Sequence, residues 1–183
     1  MTRTFICLPL MATWLAAAPV LSLGTGSFRV KEGENFTVPV LISNITDLYT
    51  AQFSLGFDPS FLHFVTQDEG DFLQAGGPTF FVPGTLTAGA VSDLAVTLLE
   101  AIPGVSGSGT LVRLEFTTIR SGQTQLNLFG VLLLDSSVSG ITADTPSSTV
   151  EITGASIPEP STLFLGAVGA SLLIFWRRVR RPA

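Results

Sequence analysis

The chain has a single cysteine, Cys7, and a single histidine, His63. Cys7 falls in an apolar N-terminal run that is expected to be removed. The mature protein then has no disulfide, no thiolate nucleophile and no thiolate metal site. A lone imidazole leaves no second histidine to complete a zinc site. It also restricts any Ser-His-Asp arrangement to His63, and no G-x-S-x-G elbow is present; Gly107-Ser108-Gly109 reads as a loop between strands. His63 lies in the strand-like run Phe61-Leu62-His63-Phe64-Val65 and is expected at an edge or on the surface. Cations are scarce as well. Between Leu23 and Ile157 only Arg29, Lys31, Arg113 and Arg120 stand against thirteen carboxylates, a net charge of −9. Such a domain repels phosphate backbones, which excludes nucleic acid as a partner. No stretch from Phe28 to Thr153 sustains a 3.6-residue apolar period, so amphipathic helices are not expected there.

What is abundant is apolar sequence: 46% of the 183 residues are hydrophobic and 13% charged, an excess that belongs to the two ends of the chain. Arg3 followed by the apolar run Phe5 to Ala18 has the order of a secretory leader. Pro19 disfavours cleavage directly after Ala18, whereas Val20-Leu21-Ser22 offers small or modest residues, so residues 1–22 are expected as signal peptide and the mature start near Leu23. Cys7 lies too early for a lipoprotein. At the other end Pro158-Glu159-Pro160 breaks regular structure ahead of a charge-free stretch, and Arg177, Arg178, Arg180 and Arg181 close it. A helix over 161–176 is expected, with Leu163, Phe164, Leu165, Leu172, Leu173, Ile174, Phe175 and Trp176 as its membrane-contacting residues. Leu163 to Trp176 covers only about 21 Å of a hydrocarbon core of about 30 Å, so the anchor needs Ser161, Thr162 and snorkelling arginines to span. The arginines stay cytoplasmic by the positive-inside rule, leaving the domain outside the membrane.

The order of triplet, short helix with Gly166 and Gly169, and arginine cluster in residues 157–183 resembles the PEP-CTERM sorting signal of Gram-negative bacteria. The resemblance implies processing by an exosortase, a membrane protease-transpeptidase that reads Pro158, Glu159 and Pro160. The protein would first sit as a single-pass precursor in the cytoplasmic membrane. It would then pass to the cell surface or the extracellular matrix. A plain membrane anchor with a proline-rich neck is the alternative.

Residues 23–156 read as one all-β domain. Expected strands are 27–31, 36–43, 48–57, 62–67, 79–83, 90–99, 109–118, 125–129, 131–134 and 148–153, separated by turn clusters such as Asn44-Ile45-Thr46-Asp47 and Asp58-Pro59-Ser60. Alternation sets Tyr49, Ala51, Phe53, Leu55 and Phe57 on one face and Thr50, Gln52, Ser54 and Gly56 on the other. Val112, Leu114, Phe116 and Thr118 oppose Arg113, Glu115 and Thr117 in the same way. Both strands therefore cover one core, as in a sandwich.

Three stretches, Phe28 to Val40, Asn44 to Leu62 and Gly107 to Phe116, together resemble a cohesin domain. That implies a jelly-roll β-sandwich of about nine strands, related in architecture to carbohydrate-binding modules. It also implies a non-catalytic protein that holds a dockerin-bearing partner or an extracellular polysaccharide. Ser54, Leu55, Asp58, Asp93 and the strand 90–99 fall near the sheet such a family would use. A structural component of the extracellular polysaccharide matrix is the alternative function. No cofactor is expected. Asp68, Glu69 and Asp71 crowd around Gly70 as a solvated turn, a calcium site or an acid-base pair, although the D-x-D-x-D-G pattern of a calcium loop is absent. Phe80 and Phe81 are expected to divide between core and rim, with exposed aromatics for a sugar as the other reading.

Overall fold

The computed structural model describes residues 17–100 and 103–154. The greater part of the expected leader and the whole sorting tail, with its triplet, helix and arginines, lie outside the described residues. Within them the chain is all-β, in the order β1 (Val20–Leu23), β2 (Ser27–Lys31), β3 (Asn35–Gly56), β4 (Leu62–Glu69), β5 (Thr79–Val82), β6 (Thr85–Thr87), β7 (Ala90–Leu98), β8 (Val105–Thr118), β9 (Gly122–Asp135), β10 (Gly140–Ile141) and β11 (Ser148–Thr153).

The expected turn at Asn44–Asp47 does not reverse the chain. Residues 36–43 and 48–57, read as two strands, belong to the single 22-residue strand β3. Its first half pairs with β8 and β1, its second half with β7 and β9. The core-facing residues explain how one strand serves both layers. Val38, Val40 and Ile42 are two apart, but Ile45, Leu48 and Ala51 follow at steps of three before Phe53 and Leu55 resume the alternation. A step of three would turn a strand inside out, because side chains alternate with a period of two. Each such step coincides with a register shift, between Ile42 and Ile45, Ile45 and Leu48, and Leu48 and Thr50. These are bulges, which absorb the extra residue and bend the strand. Asn44 and Asp47 supply the left-handed backbone, at φ 55° and 58°.

One layer is β4-β8-β3 with β1 on the far side, and the other is β5-β7-β3-β9 with β6 also on β7. β9 runs on past β3 to pair with β11, which carries β2 in parallel on its other edge. The segments expected as 125–129 and 131–134 are therefore one strand, kinked at Gly130 (φ 61°). The layers enclose a continuous apolar core in which Phe116 packs against the rings of Phe57, Phe64 and Phe36 at centroid distances of 5.3, 5.7 and 6.1 Å.

Two polar devices hold the layers in place. The sandwich is open between the edge strands β4 and β5, and Gln67 of β4 bridges that gap. Its amide nitrogen donates to the Gly84 carbonyl (2.9 Å) and its amide oxygen accepts from the Gly84 N–H (3.1 Å), as a strand residue would. A Cβ at Gly84 would lie 2.7 Å from Val91 and 2.8 Å from Leu94, so no larger residue fits under this clip. At the bend, the Asp47 carboxylate accepts from the Gly104 N–H (2.6 Å) and the Ser136 hydroxyl (2.7 Å), while its own N–H donates to Ser106 Oγ (2.9 Å). The segment entering β8 and the loop after β9 thus meet on one residue of the β3 bend. The Ser136 hydroxyl, opposed next by burial and then aided by the N–H groups of Gly104 and Ser136, holds the Asp47 carboxyl below the ordinary carboxylate value.

Gln67→Ala strips both partners from the Gly84 backbone and is expected to lower unfolding stability by about 1–3 kcal/mol, read from the urea midpoint; an unchanged midpoint would show that water replaces the clip at no cost. For Asp47, a folded pKa below the unfolded one means that its contribution is present above the ordinary carboxylate pKa and is lost as pH falls through the depressed value. The melting-temperature gap between the native protein and Asp47→Asn should accordingly narrow from neutral pH to about pH 3. A gap constant over that range would remove the carboxylate charge from the explanation.

Candidate binding face

The outer face of β5-β7-β3-β9 is built by alternation. On β3 the residues opposite the core-facing Ala51 and Phe53 are Thr50, Gln52 and Ser54. Register places Thr97 and Ala95 of β7 beside Thr50 and Gln52, Phe80 and Val82 of β5 beside those, and Leu134 and Leu132 of β9 on the other flank. Phe129, opposite Ser54, lies over Gly56, its ring 3.6 Å from where a Cβ would stand. Phe80 (56%), Phe129 (49%), Leu132 (46%) and Val82 (39%) are among the most exposed large apolar side chains of the described residues. The centre is hydroxylic: the Thr50 and Thr97 hydroxyls are hydrogen-bonded at 2.7 Å. Two apolar flanks on either side of a hydroxyl and amide strip make a broad, shallow surface.

Charge avoids this face. Arg113 and Glu115 project from the opposite layer, where Arg113 pairs with Asp71 at 3.5 Å and Glu115 accepts from Asn35 at 3.1 Å; Arg29 and Lys31 stand away from the four strands of the face, on the β2-β11 extension beyond β9, where Arg29 pairs with Glu151 at 2.9 Å. Arg120 stacks on the Phe61 ring, 4.3 Å from its centroid. On the apolar face the strands contribute one carboxylate, Asp93, at the end near Ser54.

The four residues expected near a partner surface have different fates. Asp93 is exposed, in left-handed backbone (φ 59°) where β7 bulges between the partners of Phe53 and Leu55, and its N–H donates to Ser54 Oγ at 3.1 Å. Ser54 is on the face but 6% exposed, its hydroxyl committed to that bond. Leu55 is fully buried and belongs to the core, as its own alternation with Phe53 requires. Asp58 lies off the face, in the turn after β3. There it accepts from the Ser60 hydroxyl (2.6 Å) and N–H (2.8 Å), which together with Arg120 lower its pKa against a smaller effect of burial. It caps a turn. Phe129 and Leu132 were not singled out from the sequence. Their signal is the run Val131-Leu-Leu-Leu134: a strand with one buried face needs apolar residues at alternate positions only, and Val131 and Leu133 serve the core while Leu132 is surplus.

His63 is exposed on β4, opposite Thr117. Among the described residues no three His, Cys, Asp or Glu side chains converge on a metal-sized site. Asp71 instead meets Arg113, and Asp68 is in register with it. Phe80 is on the rim and Phe81 packs against the core.

The cohesin-domain family model matches residues 21–153, and the model of the PEP-CTERM protein-sorting motif matches residues 156–181. No curated protein matches the chain. Among solved structures it is similar to the non-cellulosomal cohesin of the hyperthermophilic archaeon Archaeoglobus fulgidus, with 21% identity over 75% of this chain and 92% of that one and a TM-score of 0.61. It is also similar to the sixth cohesin of scaffoldin B from Acetivibrio cellulolyticus, solved in complex with a dockerin: 19% identity, 75% and 100% coverage, TM-score 0.62. A type II cohesin domain from the cellulosome of the same organism aligns at 15% identity, 72% and 95% coverage, TM-score 0.62. At these identities the likeness is one of fold. Together with the family match over most of its length, it makes this chain a member of the cohesin family, carrying a PEP-CTERM sorting motif at its C-terminal end.

Proposed function

We propose that this is an exported, non-catalytic binding protein that captures a dockerin-type module on the outer face of β5-β7-β3-β9 and is sorted to the cell surface through its tail. The observation that carries the reading is the contrast of charge: a domain with four cations and thirteen carboxylates keeps one broad face almost free of both. An exposed face of this kind favours association by burying apolar area, about 25 cal/mol per Å², with the threonine and glutamine strip supplying directional hydrogen bonds. Solved relatives in complex with dockerins support a protein module as the occupant. The Pro158-Glu159-Pro160 triplet supports processing by an exosortase, with the 161–176 helix holding the precursor in the cytoplasmic membrane until then. Retention in an extracellular polysaccharide matrix is the competing outcome.

Dockerin modules encoded in the same genome, titrated calorimetrically against the domain, test the face. Phe80→Ser with Leu132→Ser should weaken the complex at least tenfold, about 1.4 kcal/mol, with little change in melting temperature because both side chains are exposed. Affinity should also vary little between low and high salt, since few charges face the partner. Full affinity in the double variant would move the interface elsewhere, and retardation by a matrix polysaccharide in affinity electrophoresis, with no dockerin bound, would favour the competing reading. The tail has its own test. A plain anchor is held by apolar area and arginines, so Glu159→Ala should not alter it. A sorting signal requires the triplet: Glu159→Ala should accumulate full-length, membrane-bound precursor while the native chain matures to a form lacking Trp176 and the arginines. An intact Ala183 on the mature native protein, in a cell with the protease, would reject sorting.

A further inference from the structure

We propose that the secretory leader is removed within the Ala16–Ala18 run, so that the mature chain begins at or before Pro19 and keeps Val20-Leu21-Ser22, which the small-residue pattern alone would assign to the leader. This rests on the reading of residues 1–18 as a leader.

The structure makes Val20–Leu23 part of the domain. β1 pairs antiparallel with β3 from Val20 opposite Ser43 to Leu23 opposite Val40. Leu21 and Leu23 are fully buried. On its other side β1 is tied to the segment before β11: the Leu21 N–H donates to the Asp144 carbonyl (2.8 Å), and the Asp144 N–H donates to the Pro19 carbonyl (2.9 Å). The buried Ser148 hydroxyl donates to the Leu23 carbonyl at 2.8 Å. The N-terminal limit of this network is therefore the carbonyl of Pro19. Ala17 and Ala18, just before it, are exposed.

Cleavage at the Ser22–Leu23 bond would do two kinds of harm. It would remove Leu21 from the core and leave backbone groups of β3 and Asp144 without partners. It would also create an α-ammonium group, protonated at neutral pH with an ordinary pKa of about 7.7–8.0, on a residue that is fully buried. A new terminus at Ala17, Ala18 or Pro19 leaves the ammonium in water and the network whole. The alanines also supply small side chains before the scissile bond, and because Pro19 disfavours a cut directly after Ala18 the favoured termini of the three are Ala17 and Ala18.

Mass spectrometry of the N-terminal peptide of the exported full-length protein reads the answer. An N-terminus at Ala17, Ala18 or Pro19 is expected. One at Val20 or later, or upstream of Ala17, overturns the assignment, whereas a chain still starting at Met1 or Thr2 overturns the leader itself. Two variants separate the sites independently. Replacing Ala16, Ala17 and Ala18 together by Leu should cause uncleaved precursor to accumulate, and Ser22→Leu, on the half-buried outer side of β1, should leave processing unchanged. The reverse pattern would place the cut after Ser22.

Discussion

β3 has to lie in both layers at once, and the stretch from Ser43 to Thr50, between its two regular halves, is where that demand is met. A strand can cross from one sheet to another only if its inward face keeps pointing inward while its direction changes, which means inserting residues that the pairing does not count. Here the insertions are Asn44, Asp47 and the bulge before Thr50, with Ile45 and Leu48 turned back into the core between them. The left-handed residues are the two types other than glycine that adopt this backbone most readily. Once bent, β3 presents β8 and β1 with one half and β7 and β9 with the other. The Asp47 carboxylate then ties the loops before β8 and after β9 to the bend. Nearly every other pairing in the domain is arranged around this strand.

The bend also decides which surfaces exist. Because the second half of β3 is an interior strand, flanked by β7 on one edge and β9 on the other, its outward residues sit at the centre of a broad face rather than at an edge. Hydrogen bonding along that strip is largely internal: Thr50 with Thr97, and Ser54 with the Asp93 backbone. The apolar side chains gather on the flanks, Phe80 and Val82 on one side, Phe129 and Leu132 on the other. The surfaces beyond it have a different economy: Arg113 of the opposite layer pairs with Asp71, and Arg29 pairs with Glu151 on the β2-β11 extension past β9. Such exposed pairs contribute little stability. Their consequence is a solvated surface that discourages association, leaving the apolar face as the one suited to a partner.

Much of this was legible in the sequence, and what was not has physical reasons. The alternation from Ala51 to Phe57 and in Val112–Thr118 gave the correct inward residues, because a half-buried strand writes its two faces at a period of two, whereas Leu48, buried ahead of the bulge before Thr50, fell outside that pattern. The chemistry of Asn44-Ile45-Thr46-Asp47 was legible too, but its consequence was not. Left-handed residues make a turn when the next strand returns to pair with the last one, and a bend when it finds other neighbours; that choice is made by β7 and β9, far along the chain. Leu55 shows the converse. Its own alternation with Phe53 placed it in the core, and only the resemblance to a binding family drew it to the surface. The outward set on β9 was hidden because an all-apolar run has no alternation to read.

The two ends of the domain follow from the same strand order. β1 starts beside Ser43, next to the bend, whereas β11 ends with Thr153 beside Lys31, which adjoins Asn35 at the opposite end of the first half of β3. About nine residues of strand separate these points, roughly 30 Å at 3.3 Å per residue. The sorting tail therefore departs from one end of the sandwich, while the N-terminus and the loops gathered by Asp47 occupy the other. Gly154 is only four residues from Pro158, a reach of at most about 14 Å in extended chain. A domain held by that tail would sit close to its attachment with the Asp47 loops outward. The apolar face would then run along its side, parallel to the strands.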